Sequence, residues 1–141
     1  MDQITTFLTH NWMLVTLLVV IILLIVAVEA RGQVRGIQQV SPQFAVDMMN
    51  KENAVLVDVR ESNDFLQGHV LNAINISEKQ LLDQQKKLQK YRTSQIILYC
   101  ANGQKSLTAA VALKKAGFQQ VFNLKGGLAA WKEASLPTVK K

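Results

Sequence analysis

The sequence predicts an α/β fold, a parallel sheet with helices on both faces, preceded by one N-terminal transmembrane helix. Three observations lead there. Residues 12–28 form a run of 17 positions without a charged side chain. Beyond Gly36, short apolar runs rich in Val and Ile alternate with helix-like stretches, the pattern of strands buried on both faces. The one cysteine of the chain, Cys100, stands where such a run, Ile96-Ile97-Leu98-Tyr99, gives way to a glycine-containing loop. In open parallel sheets, ligands bind beyond the carboxyl ends of the strands.

The apolar run comes first in the chain. After Trp12 its one polar side chain is Thr16, and at 1.5 Å per helical residue its length lies near the lower end of what crosses a bilayer core. Being apolar on all sides, it is unsuited to the half-buried position of a core helix. A cleaved signal peptide is the competing reading, since Val28-Glu29-Ala30 has small residues at cleavage-site spacing. Against it, no Lys or Arg precedes the run, and the run is longer than the apolar region of most signal peptides. Residues 12–30 are therefore assigned to a transmembrane helix, with Trp12 as an interfacial anchor. Arg31 and Arg35 follow it directly, so the positive-inside rule places residues 1–11 outside the cytoplasm and the remainder inside. A lone cysteine makes no internal disulfide, which agrees with a reducing compartment. Residues 31–36, polar and with two glycines, read as a linker.

From Arg31 onward the chain holds all 16 Lys and Arg but 8 of the 10 acids, a formal charge of +8. This suits anionic partners, bilayer headgroups among them. The basic residues are spread over solvated helix faces and are not interleaved with aromatics, so nucleic acid is not an expected partner.

Residues 37–40 read as an edge strand. Ser41 as N-cap and Pro42 at the first helical position start a helix to about Asn50. Residues 54–59 (AVLVDV) form a buried strand and 73–76 a short one. Ser77 opens a polar amphipathic helix to about Lys90. The next strand is 96–99, followed by a helix over 106–116 that Gly117 ends, and then the last strand, 121–124. Gly126-Gly127 turn into a short helix through Ala134, and Pro137 closes the domain, leaving 138–141 as a basic tail. Phe65, Phe118, Phe122 and Trp131 are assigned to the core. There are no internal repeats, and about 100 residues suffice for one core.

A lone cysteine is often a small core residue. Here it follows the strand and opens a polar loop, where side chains serve sites more than packing. Free N–H groups at the start of the next helix, with Lys105 beside them, would bias the thiol toward thiolate, the reactive species.

Asp58-Val59-Arg60-Glu61, Phe65, Gly68-His69, Cys100 with Gly103 and Ser106, Gly126-Gly127 and Trp131 stand in the order and spacing of a single-domain rhodanese, and residues 37–137 resemble that family. With its N-terminal helix the whole chain is similar to small membrane-anchored rhodanese-like proteins of the bacterial inner membrane. The resemblance implies a rhodanese-like parallel sheet and a sulfurtransferase activity. Cys100 would take sulfane sulfur from thiosulfate or another persulfide, carry it as a persulfide, and pass it to an acceptor thiol or protein. It implies no cofactor and no metal. Ala101, Asn102, Gly103, Gln104, Lys105 and Ser106 would form the substrate-binding loop, their N–H groups making an anion nest. Lys105 stands where the family often has Arg, exchanging a planar fork for a compact charge. Ser106 is expected to cap the following helix. Asp58 and Arg60 share a strand face as i and i+2 and read as an ion pair, and His69 as a hydrogen-bonded loop anchor; these three are the supporting residues.

Two other functions compete. A cysteine phosphatase would need Arg six residues after the cysteine to clamp phosphate, where this chain has Ser106. The alternative of another class is a membrane-tethered interaction module that binds other membrane proteins with little or no catalysis, which the fold alone does not exclude.

Overall fold

The computed structural model describes residues 1–81, 83 and 85–140, with backbone alone described over 30–35 and at 85. The chain divides into two compact units, Met1–Arg35 and Gly36–Lys141.

The first unit holds helices α1 (Asp2–His10) and α2 (Trp12–Arg35). Asn11 joins them: its N–H donates to Phe7 O at 3.0 Å, and its own carbonyl accepts from the N–H groups of Leu14 and Val15 at 2.9 and 3.1 Å. Over Trp12–Glu29 no residue is buried, and the helix is long and apolar enough to cross a membrane. It continues through Arg35, so residues 31–35 of the stretch read as a linker are helical backbone; Gly32 lies within the helix, and Gly36 follows its last residue.

The second unit is built on a parallel sheet of five strands in the order β1-β6-β5-β2-β4. These are β1 (Gln38–Val40), β2 (Val55–Asp58), β4 (Ile74–Asn75), β5 (Gln95–Tyr99) and β6 (Gln120–Leu124). Alternation along β5 divides the core. Ile96, Leu98 and Cys100 pack on one side with Ala109, Ala110 and Leu113 of α5 (Gln104–Lys115). Ile97 and Tyr99 pack on the other with Ala45 and Met48 of α3 (Pro42–Lys51) and Leu128 and Trp131 of α6 (Gly127–Glu133). Helix α3 begins as expected: Ser41 Oγ accepts from Phe44 N–H at 3.2 Å, and Pro42 occupies the first turn.

Several expectations are corrected. No α-helix runs from Ser77 to Lys90: turns lead into a 3₁₀ helix, Gln85–Tyr91, with residues 82 and 84 outside the described residues. The segment is held at its start, where Glu78 N–H donates to Val59 O at 3.0 Å, and both Leu81 and Leu88 are drawn into the core. Tight i→i+3 bonds, such as Gln80 N–H to Ser77 O at 3.0 Å, meet those two anchors. The domain does not close at Pro137. Thr138–Val139 forms β7, paired antiparallel with β3 (His69–Val70), and Trp131 Nε1 donates to Pro137 O at 3.0 Å; Lys141 lies outside the described residues. Helix α4 (Ser62–Gln67) was not expected. Of the four assigned aromatics, Phe118 and Trp131 are buried, whereas Phe65 and Phe122 are half-buried.

Candidate active site

Cys100 is the first residue after β5, and the strand's alternation turns its side chain toward α5 while Tyr99 points to the opposite face. The chain then reverses through 101–103 into the first turn of α5. Gly103 makes this possible with φ of +90°, a left-handed conformation that other residues resist. A Cβ there would also lie 3.2 Å from Gly126 N and 3.3 Å from Leu124 O.

The loop is clamped from above by the start of α6. Leu128 N–H donates to Cys100 O at 2.8 Å and Ala129 N–H to Ala101 O at 3.1 Å. Gly127 lies so close to Cys100 O and Gly103 N that no side chain fits between them.

Around the sulfur, the donors converge. Gly103 N–H donates to Sγ at 3.1 Å, and Ser106 N–H and Ser106 Oγ both lie 3.4 Å from it. Asn102 Oδ1 is 3.8 Å from Sγ and accepts from Gln104 N–H at 3.1 Å. Burial, with the residue 2% exposed, pushes the thiol pKa up. Hydrogen bonds from the Ser106 hydroxyl, the Ser106 N–H and the Asn102 and Gly103 N–H groups pull it down, and the balance lies below the ordinary value.

The expected loop residues are thus brought together, in two layers. Gly103 and Ser106 are buried and face the sulfur, whereas Ala101, Asn102, Gln104 and Lys105 line a cavity of about 370 Å³ into which Cys100 opens. Ser106 does not cap α5; the N-cap is Gly103, and Ser106 lies buried in the first turn beneath the sulfur. No contact joins Lys105 to Sγ among the described residues, so the pull on the thiol comes from the loop's hydrogen bonds.

Asp58 and Arg60 form the expected ion pair. Arg60 Nη2 donates to Oδ2 at 2.7 Å and Nε to both carboxylate oxygens at 3.1 Å, with Asp58 fully buried. Arg60 lines the cavity; Asp58 stands behind it. Nη2 also donates to Gly68 O at 2.6 Å, tying the end of β2 to the end of α4. His69 does not line the cavity. Its Nδ1 is 2.8 Å from Phe65 O, which can only accept, so Nδ1 carries the proton, and the ring stacks on Phe65 at 3.7 Å. It anchors the turn after α4.

Asn123 belongs to this arrangement although the sequence reading passed over it. It is buried on β6; its Oδ1 accepts from Ser106 Oγ at 2.6 Å, and its Nδ2 donates to Gly103 O at 3.1 Å. The signal was an amide between Phe122 and Leu124 in a strand otherwise apolar at its centre. Asp64, Glu78 and Lys79 also line the cavity without having been expected at the site, as does Glu61, which stood in the Asp58–Glu61 motif but was given no role there.

The profile of the Rhodanese-like domain family matches residues 41–134, two thirds of the chain and the whole of the site. The chain belongs to the rhodanese-like family. The rhodanese-like domain is 38% identical over 97 residues to the protein YibN of Escherichia coli (strain K12), covering 68% of each chain. It is 30% identical over 95 residues to the thiosulfate sulfurtransferase GlpE of Coxiella burnetii (strain RSA 331 / Henzerling II), 67% of this chain and 87% of that one. A rhodanese-related protein from Thermoplasma volcanium superposes with a TM-score of 0.67 at 25% identity, over 74% of this chain and 99% of the other. The match to the expected fold is therefore direct: a parallel rhodanese-like sheet, with one N-terminal helix long enough to span a membrane.

Proposed function

We propose that this chain is a membrane-anchored sulfurtransferase in which Cys100 carries sulfane sulfur as a persulfide. The observation that supports it most is the sulfur's own surroundings, two backbone N–H groups and a hydroxyl within 3.4 Å at the floor of a cavity. Such donors stabilise an anionic sulfur and cost no reorganisation when charge develops. In the first step the Cys100 thiolate attacks the outer sulfur of thiosulfate or of a persulfide. The donor's S–S bond breaks, and its electron pair leaves with sulfite or with the donor thiolate. In the second, an acceptor thiolate attacks the outer sulfur of the Cys100 persulfide, and Cys100 leaves as the thiolate that the loop already holds. The relative named as a thiosulfate sulfurtransferase supports this chemistry. Lys105 would draw anionic sulfur toward the mouth, Arg60 would form part of the wall with Asp58 holding it from behind, and His69 would fix the turn after α4. The helix of residues 12–30 would anchor the chain in the bacterial inner membrane with the domain in the cytoplasm, where sulfur acceptors and other membrane proteins are within reach.

The full chain in detergent micelles, incubated with thiosulfate or with a small persulfide, should gain one sulfur at Cys100 by intact mass and transfer it to cyanide. Cys100→Ser should do neither and keep its thermal midpoint, because serine is nearly isosteric but far less nucleophilic. Wild-type protein that gains no sulfur from either donor would overturn the carrier role in favour of the interaction module.

A further inference from the structure

We infer that the donor suited to this site is a small aminothiol persulfide, an R–S–SH whose R carries an ammonium group, in preference to the thiosulfate dianion; this rests on the sulfur-carrier reading. The cavity's charge carries the inference. Among the described residues, Arg60 is the one partly buried cation lining it, and its charge is already matched by the fully buried Asp58 at 2.7 Å. What remains is Lys79 and Lys105 against the carboxylates of Glu61, Asp64 and Glu78. With Arg60 set against Asp58, two basic side chains face three acidic ones, so the formal charge of the wall is negative by one. Glu78 is half-buried, its place fixed by its N–H on Val59 O, and water screens it less than the exposed Glu61 and Asp64.

Size points the same way. About 370 Å³ lies within the range of small-molecule sites and is far more than a five-atom anion fills. A dianion entering this wall meets more negative than positive charge. A molecule with a persulfide, R–S–SH, at one end and an ammonium at the other satisfies both halves of the site, its sulfur among the loop donors and its cation among the carboxylates. The reaction balances without an outside oxidant. Cys100 thiolate attacks the outer sulfur of R–S–SH, the S–S bond breaks, the aminothiol leaves as R–S⁻ with the bonding pair, and the proton stays on the transferred sulfur.

The test uses the full chain in detergent micelles and three donors: the persulfides of cysteamine and of 3-mercaptopropionate, which differ in an ammonium against a carboxylate, and thiosulfate. Second-order rate constants for the one-sulfur gain at Cys100 are each divided by the rate of the same donor with a free thiol in solution. The cysteamine persulfide should be about tenfold favoured over its carboxylate counterpart and over thiosulfate, with the margin shrinking as salt is raised. Glu78→Gln should narrow that margin. The triple change Glu61→Gln, Asp64→Asn and Glu78→Gln should bring it near one and speed thiosulfate, with the thermal midpoint as control. Equal normalised rates, or a preference for either anionic donor, would overturn this inference and leave the sulfur carrier standing. Sulfur gain from none of the three would overturn both.

Discussion

Two opposing effects meet on the sulfur of Cys100: burial raises its pKa, and the hydrogen bonds led by the Ser106 hydroxyl lower it, with the lowering ahead. A depressed pKa means that the folded state favours the thiolate. Its contribution to stability is present above the unfolded thiol's pKa, about 8.5, and is lost as pH falls through the lower folded value. Alkylation rate against pH should therefore show its inflection below that of the same cysteine in the unfolded chain. Ser106→Ala should move it upward and slow alkylation at neutral pH; an unchanged profile would show that the backbone N–H groups alone hold the anion. The Ser106 proton also serves Asn123 Oδ1 at 2.6 Å. Asn123→Ala removes one buried hydrogen bond from the Ser106 hydroxyl, which keeps Sγ as a partner, and one from Gly103 O, at a cost of about 0.5–1.5 kcal/mol for each bond, read by chemical denaturation. Arg60→Leu should cost more, about 3–5 kcal/mol, because it leaves the fully buried Asp58 carboxylate without its partner.

Where β5 meets α5, the site depends on elements packing closely more than on any one side chain. Gly127→Ala would force a methyl group against Cys100 O and Gly103 N at a φ of +59°. Sulfur uptake should fall by at least about tenfold with a lowered thermal midpoint, and wild-type kinetics would mean that the α6 clamp yields easily. Ser41→Ala, by contrast, should cost about 1 kcal/mol from the lost cap of α3 and leave sulfur chemistry unchanged. These elements differ in how far the sequence revealed them. The central strands were legible because continuous Val and Ile runs suit a sheet covered on both sides, and α3 because Ser41-Pro42 is a local start signal. Helix α5 was read two residues late, since its cap is a left-handed glycine without a side-chain bond, and Ser106, the apparent cap, is committed to the sulfur. The 77–90 stretch carries a helical polar pattern, but Leu81 and Leu88 answer to a core that the local sequence does not display. Strand β7 exists only through its distant partner β3, and α4 buries no residue and so has no apolar stripe to betray it. At the site, Cys100, the proposed nucleophile, and its loop were visible as motif and spacing. Asn123 and the carboxylate wall arise from segments that meet only in three dimensions.

For the molecule as a whole, the proposed anchor sets where the sulfur chemistry takes place. Helix α2 is continuous from Trp12 through Arg35, and its Trp12–Glu29 segment of 18 residues, about 27 Å at 1.5 Å per residue, has no buried residue. Exposing so many large apolar side chains to water costs roughly 1 kcal/mol or more for each, a cost that the proposed insertion into a bilayer would remove. No Lys or Arg precedes this segment, while Arg31, Arg35 and the +8 charge of the remainder follow it, the asymmetry on which the proposed cytoplasmic placement of the Cys100 domain rests. The chain should therefore sediment with membranes, resist extraction by carbonate, and retain its full length. Protease added outside intact cells should leave a C-terminal tag untouched, and permeabilised cells should lose it. Release of a shortened chain into the soluble fraction would favour signal-peptide cleavage after Ala30. Digestion of the tag in intact cells would reverse the orientation and remove Cys100 from the reducing compartment that keeps its thiol free for persulfide exchange.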